Sequence, residues 1–501
     1  MVQWIALVAY GVVLLLVAPR AGSHRGFLWA RSREGAMPST GLLTASVLVT
    51  WIFAKSITNA ANLGERYGLV GGLAYASWYL SIPAAGFLLY RIRKEGHEGV
   101  IPFLTARFGP GAAFLFSAAI LIRLFNEVWS NTEVVASYFG AAGSPTFFLA
   151  AGVFTAAVLL YTLRGGLRAS IFTDQLQLGL AVILLVWVLA LILPSHAPAQ
   201  LAHTAHFRLD AGLDLLLVGL LQVTSYPFHD PVLTDRAFVN EPRKMVIAFT
   251  VAGLLGAAAI VLYSLIGVHV QLAGAGGAGD APVRAARLLG SGALLAISVL
   301  MMNSAGACVD STFTAVARFA AVDLAGEGGA HPSGFRGLLA PLRRFSGGDH
   351  GVRLGRGVMI AFALLGNLPL LWHADILKAT TVSGTMMLGL APAFLLWKWH
   401  KPAPLAFHAS FLTGLGTGFA ALALRWPAAL SIGAGKYAAL LGQNAWGLCA
   451  CFGAYAAGVA IESVRGARAL PPAPGFFLER QAIARDMPAG GADGGMRGEP
   501  A

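Results

Sequence analysis

The stretch Trp51-Ile-Phe-Ala-Lys-Ser-Ile-Thr-Asn-Ala-Ala-Asn-Leu-Gly-Glu-Arg-Tyr-Gly68 decides how this chain is read. It belongs to an apolar run, Leu42 to Leu63, yet Lys55, Ser56, Thr58, Asn59 and Asn62 interrupt it. A helix facing lipid would not carry them, because polar groups in hydrocarbon must find partners inside the protein. A snorkelling lysine and a polar helix end account for Glu65 and Arg66 near the boundary. Lys55 fits that account less well: it lies about two turns inside the span, where a charge needs a partner or a wet cavity. Either Lys55 works in function or ion pairing at that depth, or it points toward the intracellular end and pairs with a carboxylate there.

The chain on both sides of this segment is apolar throughout. Of its 501 residues 57% are hydrophobic and 12% charged, and the mean hydropathy is +0.69. Water-soluble domains are not built this way. About thirteen stretches approach the ~20 residues that cross a bilayer as a helix. They are Val2 to Ala18, Leu42 to Leu63, Leu69 to Tyr90, Ala112 to Tyr138, Phe147 to Thr162, Leu167 to Leu193, Leu213 to Phe228, Met245 to Val270, Leu294 to Leu324, Val358 to Leu371, Ile376 to Trp397, Ala406 to Leu424 and Tyr437 to Ile461. No basic residue precedes the first, so it reads as a retained helix and not a cleaved signal peptide. Residues 1–40 then hold an N-terminal helix and loop, 41–398 a core of ten helices, and 399–463 two further helices. Residues 464–501, rich in Pro, Gly and Arg, read as a disordered cytoplasmic tail.

The formal charge of +12 is not a nucleic-acid signature, because the basic residues collect in alternate loops. With the N-terminus outside, loops on the cytoplasmic side hold roughly 25 Lys and Arg against roughly seven opposite, as the positive-inside rule requires. Arg20, Arg25, Arg31 and Arg33, then Arg91, Arg93 and Lys94, then Arg343, Arg344, Arg353 and Arg356 contribute most. The expected location is a bacterial-type inner (plasma) membrane, crossed many times, with the C-terminus cytoplasmic. Cys308, Cys449 and Cys451 have neither disulfide-framework nor zinc-ligand spacing.

Three further features carry chemistry. In Thr224-Ser-Tyr-Pro-Phe-His-Asp-Pro231, Pro227 removes a helix hydrogen bond and predicts a break or an end. His229 and Asp230 are then a pH-sensitive pair or, as the end of the apolar run at Phe228 favours, ordinary residues at the cytoplasmic exit. Arg123, Glu127 and Asn131 recur every four residues and share one helix face, either as a self-neutralising pair between helices or as the lining of a solute path. Asp174 and Asp310 are the remaining deep carboxylates, and either can bind a cation or hold a proton. Ten core helices divide into two five-helix halves, a count that suits an inverted repeat with solute near the midplane against discontinuous helices.

At this point the residues resemble a known family, the sodium:solute symporters. Tyr161-Thr-Leu-Arg-Gly-Gly-Leu-Arg-Ala-Ser-Ile-Phe-Thr-Asp-Gln-Leu-Gln177 is similar to that family's YT-x-x-GGL-x-A-x-x-x-TD-x-x-Q signature between the fourth and fifth core helices. Its paired glycines predict a short cytoplasmic turn that brings Asp174 inward. Trp51-Ile-Phe-Ala-Lys-Ser56 resembles, more briefly, the W-x-W-A-A-T pattern of the urea-type branch. Asn303-Ser-Ala-Gly-Ala-Cys-Val-Asp-Ser-Thr312, followed by Ala321-Val-Asp323, resembles the element that carries the principal sodium site.

The resemblance implies an all-α membrane protein with a ten-helix inverted-repeat, LeuT-like core, preceded by one helix and followed by two. It implies a sodium site made by carbonyls near Ala60 and Leu63 with side chains at Ser304, Ala307 and Cys308, of which only Ser304 keeps a hydroxyl. It places a second site at Ala307, Asp310, Ser311 and Asp174. Ser304, Ala307, Cys308, Asp310 and Ser311 share a helix face, although Cys308 and Ser311 suit close helix packing equally.

The first core helix thus gains Lys55 while the eighth loses two hydroxyls. A fixed or titrating ammonium, acting with Asp310, Asp174 or Glu127, is expected to stand in for the ion, so the coupling ion is sodium or a proton. Solute is expected to enter near Asn59, Asn62 and the Ser225-Tyr226-Pro227 break, with Asn131 beside it and Trp51, Phe53 and Tyr226 closing over it. The expected function is cation-coupled uptake of a small polar organic solute by alternating access, without an enzymatic cofactor and without nucleic acid. A solute-binding membrane sensor on the same fold is the alternative. An enzyme is not expected, since neither H-E-x-x-H nor G-x-S-x-G occurs.

Overall fold

A computed structural model describes residues 2–32, 36–277, 279–325, 348–372 and 375–465. Arg33, Arg343, Arg344 and the tail beyond Arg465 lie outside the described residues. All the regular structure described is helical, as lipid requires of a chain that cannot leave backbone groups unpaired. In chain order the elements used below are α1 (Val2–Val17), α2 (Thr40–Trp51), α3 (Ala54–Tyr67), α4 (Leu69–Lys94), α5 (Pro110–Ala136), α6 (Pro145–Ile192), α7 (Leu213–Gln222), α8 (Pro231–Arg236), α9 (Pro242–Leu272), α10 (Ser291–Leu324), α11 (Gly348–Leu371), α12 (Ile376–Trp399), α13 (Pro404–Ala423) and α14 (Ala438–Val464).

Each apolar stretch read from the sequence has a helical counterpart here. Among the described residues nine helices are long and apolar enough to cross a membrane, and α2 with α3 forms a tenth span bent by 57°. Val2–Val17 and Leu213–Gln222 are shorter apolar helices. The stretches ending at Thr162 and starting at Leu167 meet inside α6 with no intervening loop. The whole turn is made at Gly166, whose φ of 55° and ψ of −148° suit glycine, and a Cβ there would strike the carbonyl and ring of Phe27.

Two core helices are broken, and they are the first of each five-helix half. In the first, Ile52 (ψ 67°) and Phe53 (ψ 148°) leave helical geometry between α2 and α3. The Trp51 carbonyl, freed there, accepts a hydrogen bond from the Tyr79 hydroxyl. In the second, α7 stops at Gln222, a single 3-10 turn covers Tyr226–His229, and α8 begins at Pro231. Pro227 sits within that turn, so the chain departs from the α-helix earlier than the proline predicts. Asp230 restarts it as an N-cap, accepting from the Val232 amide at 3.0 Å. The segment from Tyr226 to Arg236 is buried, which corrects the expectation of a cytoplasmic exit after Phe228. Phe228 stacks flat on Phe394 of α12, 3.8 Å between centroids. α3 packs closely along α9, where Gly64 and Gly267 leave no room for a Cβ against the carbonyls of Ser264 and Ala61.

Candidate functional site

Four charged side chains from three elements meet beside the first break. Lys55 stands at the second position of α3 and its ammonium lies 2.7 Å from Glu127 Oε2. Arg123, one turn earlier on α5, pairs with the other Glu127 oxygen and reaches Asp230 Oδ2 at 3.4 Å. All four side chains are at most 2% exposed. Two cations and two anions cancel, so the quartet has no net charge, which is the condition under which buried ions survive. The pair read on α5 is therefore half of a larger network. Lys55 reaches inward to Glu127, not toward a helix end.

Around the quartet lie its polar and aromatic walls. Lys55 Nζ donates to Ser130 Oγ at 3.2 Å. Asn131 Nδ2 donates to Glu127 Oε2 at 3.1 Å and approaches Cys308 Sγ at 3.2 Å. The Cys308 thiol donates to the same Glu127 oxygen at 3.5 Å. The Lys55 ammonium lies 5.0 Å from the centre of the Phe53 ring, and the Arg123 guanidinium 5.1 Å from that of Tyr226. Trp51 meets Tyr226 edge to face, and its indole N–H is buried without a partner among the described residues. His229 Nδ1 lies 2.5 Å from the Tyr226 carbonyl and Nε2 3.3 Å from Ser383 Oγ, so it is interior and no exit residue. Donors and acceptors of both signs thus converge on the break, an arrangement that can bind a small polar solute or pass a proton.

The predicted solute residues divide. Trp51, Tyr226 and Asn131 line the quartet, while Asn59 donates to the Tyr75 hydroxyl at 3.4 Å, which Ser56 shares at 3.3 Å. Ser225 is spent on its own turn, donating to the Gln222 carbonyl at 3.2 Å. Asn62 lies apart: it donates to Asp280 Oδ1 and accepts from the Ala281 amide, each at 2.8 Å, beside an ion pair of Glu65 with Arg284. Its two bonds fasten it to the short helix Ala281–Leu288.

No hydrogen bond among the described residues joins Ala60 or Leu63 of α3 to Ser304, Ala307 or Cys308 of α10. Ala60 and Leu63 lie within α3, well beyond the break, where their carbonyls belong to the helix ladder. At the break itself the Phe53 carbonyl already accepts from the Ser56 and Ile57 amides and the Trp51 carbonyl from the Tyr79 hydroxyl. Ala307 presents a methyl group and Cys308 a thiol already turned to Glu127, while the buried Ser304 hydroxyl has no partner among the described residues. A hard cation wants several oxygens at once, which this set does not offer.

Asp174 and Asp310 occupy a second buried cluster. Asp310 accepts from Tyr161 at 2.6 Å, from Ser170 and Ser311 at 3.0 Å and from Thr173 at 3.2 Å. Asp174 accepts from Ser46 of α2 at 2.5 Å and pairs with Arg236 of α8 at 3.3 Å. Neither aspartate pairs with Lys55. Nearer the end of α10, Arg318 pairs with Asp235 and lies over the Trp29 ring. Arg236, Asp230 as an ion-pair partner, Ser46 and the Asp235–Arg318 pair are the residues sequence reasoning missed. Tyr161 and Thr173 stood in the quoted signature without an assigned task. No group of three His, Cys, Asp or Glu side chains able to hold a metal occurs among the described residues.

No family model matches the chain. Among curated proteins, a probable urea active transporter of Schizosaccharomyces pombe is 25% identical over 162 residues, 29% of this chain and 23% of that protein. The urea-proton symporter DUR3 of Oryza sativa subsp. japonica is 23% identical over 161 residues, 31% of this chain and 22% of its own. The chain therefore matches less than a quarter of the length of either relative. Among solved structures, a Na+-coupled sialic acid symporter in a substrate-bound outward-open state has a TM-score of 0.66 at 13% identity, over 92% of this chain and 98% of that one. This is the LeuT-type transporter fold. Mhp1, a nucleobase-cation-symport-1 family transporter in a closed conformation, has a TM-score of 0.54 at 12% identity over 89% and 96%. These likenesses establish the fold, and the two broken helices are the interruptions that this fold places at its midplane.

Proposed function

We propose that this protein is a cation-coupled secondary transporter, of the sodium:solute symporter kind, that takes up a small polar solute by alternating access. The observation that carries the reading is the neutral quartet Lys55, Glu127, Arg123 and Asp230 set against the break at Ile52–Phe53. A soluble-protein core can keep such a network for packing. In a membrane it is an expensive arrangement, and its usual setting is a solute or proton path. Both signs of charge with no net charge favour an uncharged or zwitterionic solute over an ion, and urea, named for both relatives, belongs to that class.

The coupling ion is a proton in this reading. Two of the three side-chain hydroxyls of the implied sodium site are replaced, by Ala307 and Cys308, whereas Lys55 Nζ and Glu127 Oε2 are within proton-transfer distance at 2.7 Å. A proton taken up on Glu127 frees Lys55 from its partner, and the solute then offers the donors and acceptors that the broken ion pair has lost. The N-terminus is outside and the tail cytoplasmic, following the loop charges. Uptake of labelled urea, amides, amino acids and sugars into proteoliposomes, under imposed pH and sodium gradients, tests the proposal. Accumulation driven by the pH gradient in wild type, with altered cation dependence in Lys55→Ala, is expected. Unchanged cation dependence in Lys55→Ala would sink the coupling role, and binding without accumulation would favour a sensor.

A further inference from the structure

The second charged cluster contains a cation supplied by the chain itself. The Arg236 guanidinium donates from Nε to Ser46 Oγ at 2.7 Å, from Nη2 to Ser311 Oγ at 2.7 Å and to Asp174 Oδ2 at 3.3 Å, and from Nη1 to the Val232 carbonyl at 2.9 Å. The two hydroxyls pass the interaction on: Ser46 donates to Asp174 at 2.5 Å and Ser311 to Asp310 at 3.0 Å. Both carboxylates are thus tied to one guanidinium, Asp174 directly and through Ser46, Asp310 through Ser311. Every residue of this set is almost fully buried.

Remove the guanidinium and what remains is an oxygen-lined site. Asp174 Oδ2, Ser46 Oγ and Ser311 Oγ all point at the place it fills, with Asp310 behind Ser311. Hard oxygen donors with two carboxylates are the chemistry that takes a small monovalent cation. The sodium:solute likeness implies sodium at Asp174, Asp310 and Ser311, and the residues present do not fit it, because a side chain already uses the donors.

We propose that Arg236 is a tethered cation that fills the second cation position and thereby makes this transporter independent of sodium there. The inference rests on the transport reading for its meaning and concerns which ion that transporter uses. Five donors in a fixed fork also hold α2, α6 and α10 together around α8, which a diffusible ion would do only while bound.

Cation binding to the purified full-length protein in detergent tests this without any solute, so its outcome is independent of uptake. Thermal stability is followed as sodium replaces N-methylglucamine at constant ionic strength, from about 1 to about 100 mM. Wild type and Arg236→Lys are expected to show no sodium-specific rise in Tm. Arg236→Gln is expected to gain a rise of a few degrees, and Arg236→Gln with Asp174→Asn to lose most of it. If Arg236→Gln folds and gains no sodium-specific shift, the proposal is overturned. If it folds only when prepared with sodium, the proposal stands, since the ion replaces the guanidinium; failure to fold in either medium overturns it. So does a sodium-dependent rise in wild type that Asp174→Asn abolishes.

Discussion

Glu127 is the residue whose loss tests the quartet most directly, because it alone contacts both cations. In Glu127→Gln the four-group charge goes from zero to +1. Lys55 keeps only the Ser130 hydroxyl at 3.2 Å, and Arg123 keeps Asp230 at 3.4 Å. Breaking a buried pair by removing one partner costs about 3–5 kcal/mol, most of it the uncompensated charge left behind. With an unfolding entropy near 2 cal/mol/K per residue over about 450 residues, roughly 0.9 kcal/mol/K, Tm falls by about 3–6 °C. Lys55→Met is milder, since Glu127 retains Arg123. The informative variant is the double one, Lys55→Met with Glu127→Gln. It leaves Arg123 and Asp230 as a neutral pair, so its cost is expected to fall below that of Glu127→Gln alone, with a coupling of at least about 2 kcal/mol. Tryptophan-fluorescence melts at a fixed scan rate measure all three, and a fixed rate is needed because large membrane proteins unfold irreversibly. If the double variant loses the sum of the two single losses, the side chains do not interact and the quartet is not the unit described.

Gly267→Ala places a Cβ on the Ala61 carbonyl, and overpacking at the α3–α9 seam is expected to cost about 1–3 kcal/mol, read as a lower Tm. Asn62→Ala is expected to leave the KM for transported solute within about twofold while raising hydrogen exchange in Ala281–Leu288, because its two bonds hold Asp280 and Ala281; a KM effect of tenfold or more would place Asn62 on the solute path. Outside the membrane spans, the hydrogen bond from Lys398 holds the Glu95 carboxyl below the usual carboxylate range. A lowered folded-state value gives stability that is present above the unfolded value and lost as pH falls through the folded one. Lys398→Met should therefore lower Tm slightly near neutral pH, by about 1 °C or less since the pair is largely exposed, and the difference from wild type should vanish as pH falls through the lowered Glu95 value.

What the sequence made legible follows the hydrophobic pattern. Apolar length located the spans, and the polar interruption in Trp51–Gly68 and the proline at 227 pointed to the two broken helices. The position of the first break was not legible, since no glycine or proline marks Ile52–Phe53 and the backbone there departs from helix under tertiary contacts such as Tyr79 on the Trp51 carbonyl. The carbonyls that the resemblance implies as ligands, near Ala60 and Leu63, lie within α3 beyond that break. Arg236 was hidden for a different reason. The apolar run stops at Phe228, and Pro-Val-Leu-Thr-Asp-Arg reads as an exit loop in isolation. Its burial is created by Ser46, Asp174 and Ser311, which arrive from three helices remote in sequence.

The short helix α8 joins what the separate clusters leave apart. Its N-cap Asp230 pairs with Arg123 in the quartet, Asp235 pairs with Arg318 of α10, and Arg236 enters the Asp174 cluster. A helix of six residues is about 9 Å long, so these three anchors lie within one rigid piece. The break before it removes the helical bonds that would fix α8 to α7. Its placement then depends on three ion pairs, and in one of them, the Asp230 contact at 3.4 Å, the guanidinium is shared with Glu127. Anything that neutralises Glu127 gives Arg123 wholly to Asp230 and pulls on the N-cap of α8 against anchors that stay fixed. On the transport reading proposed above, Arg123 links the two breaks, the connection that a transporter with two discontinuous helices needs if solute and coupling ion are to move together.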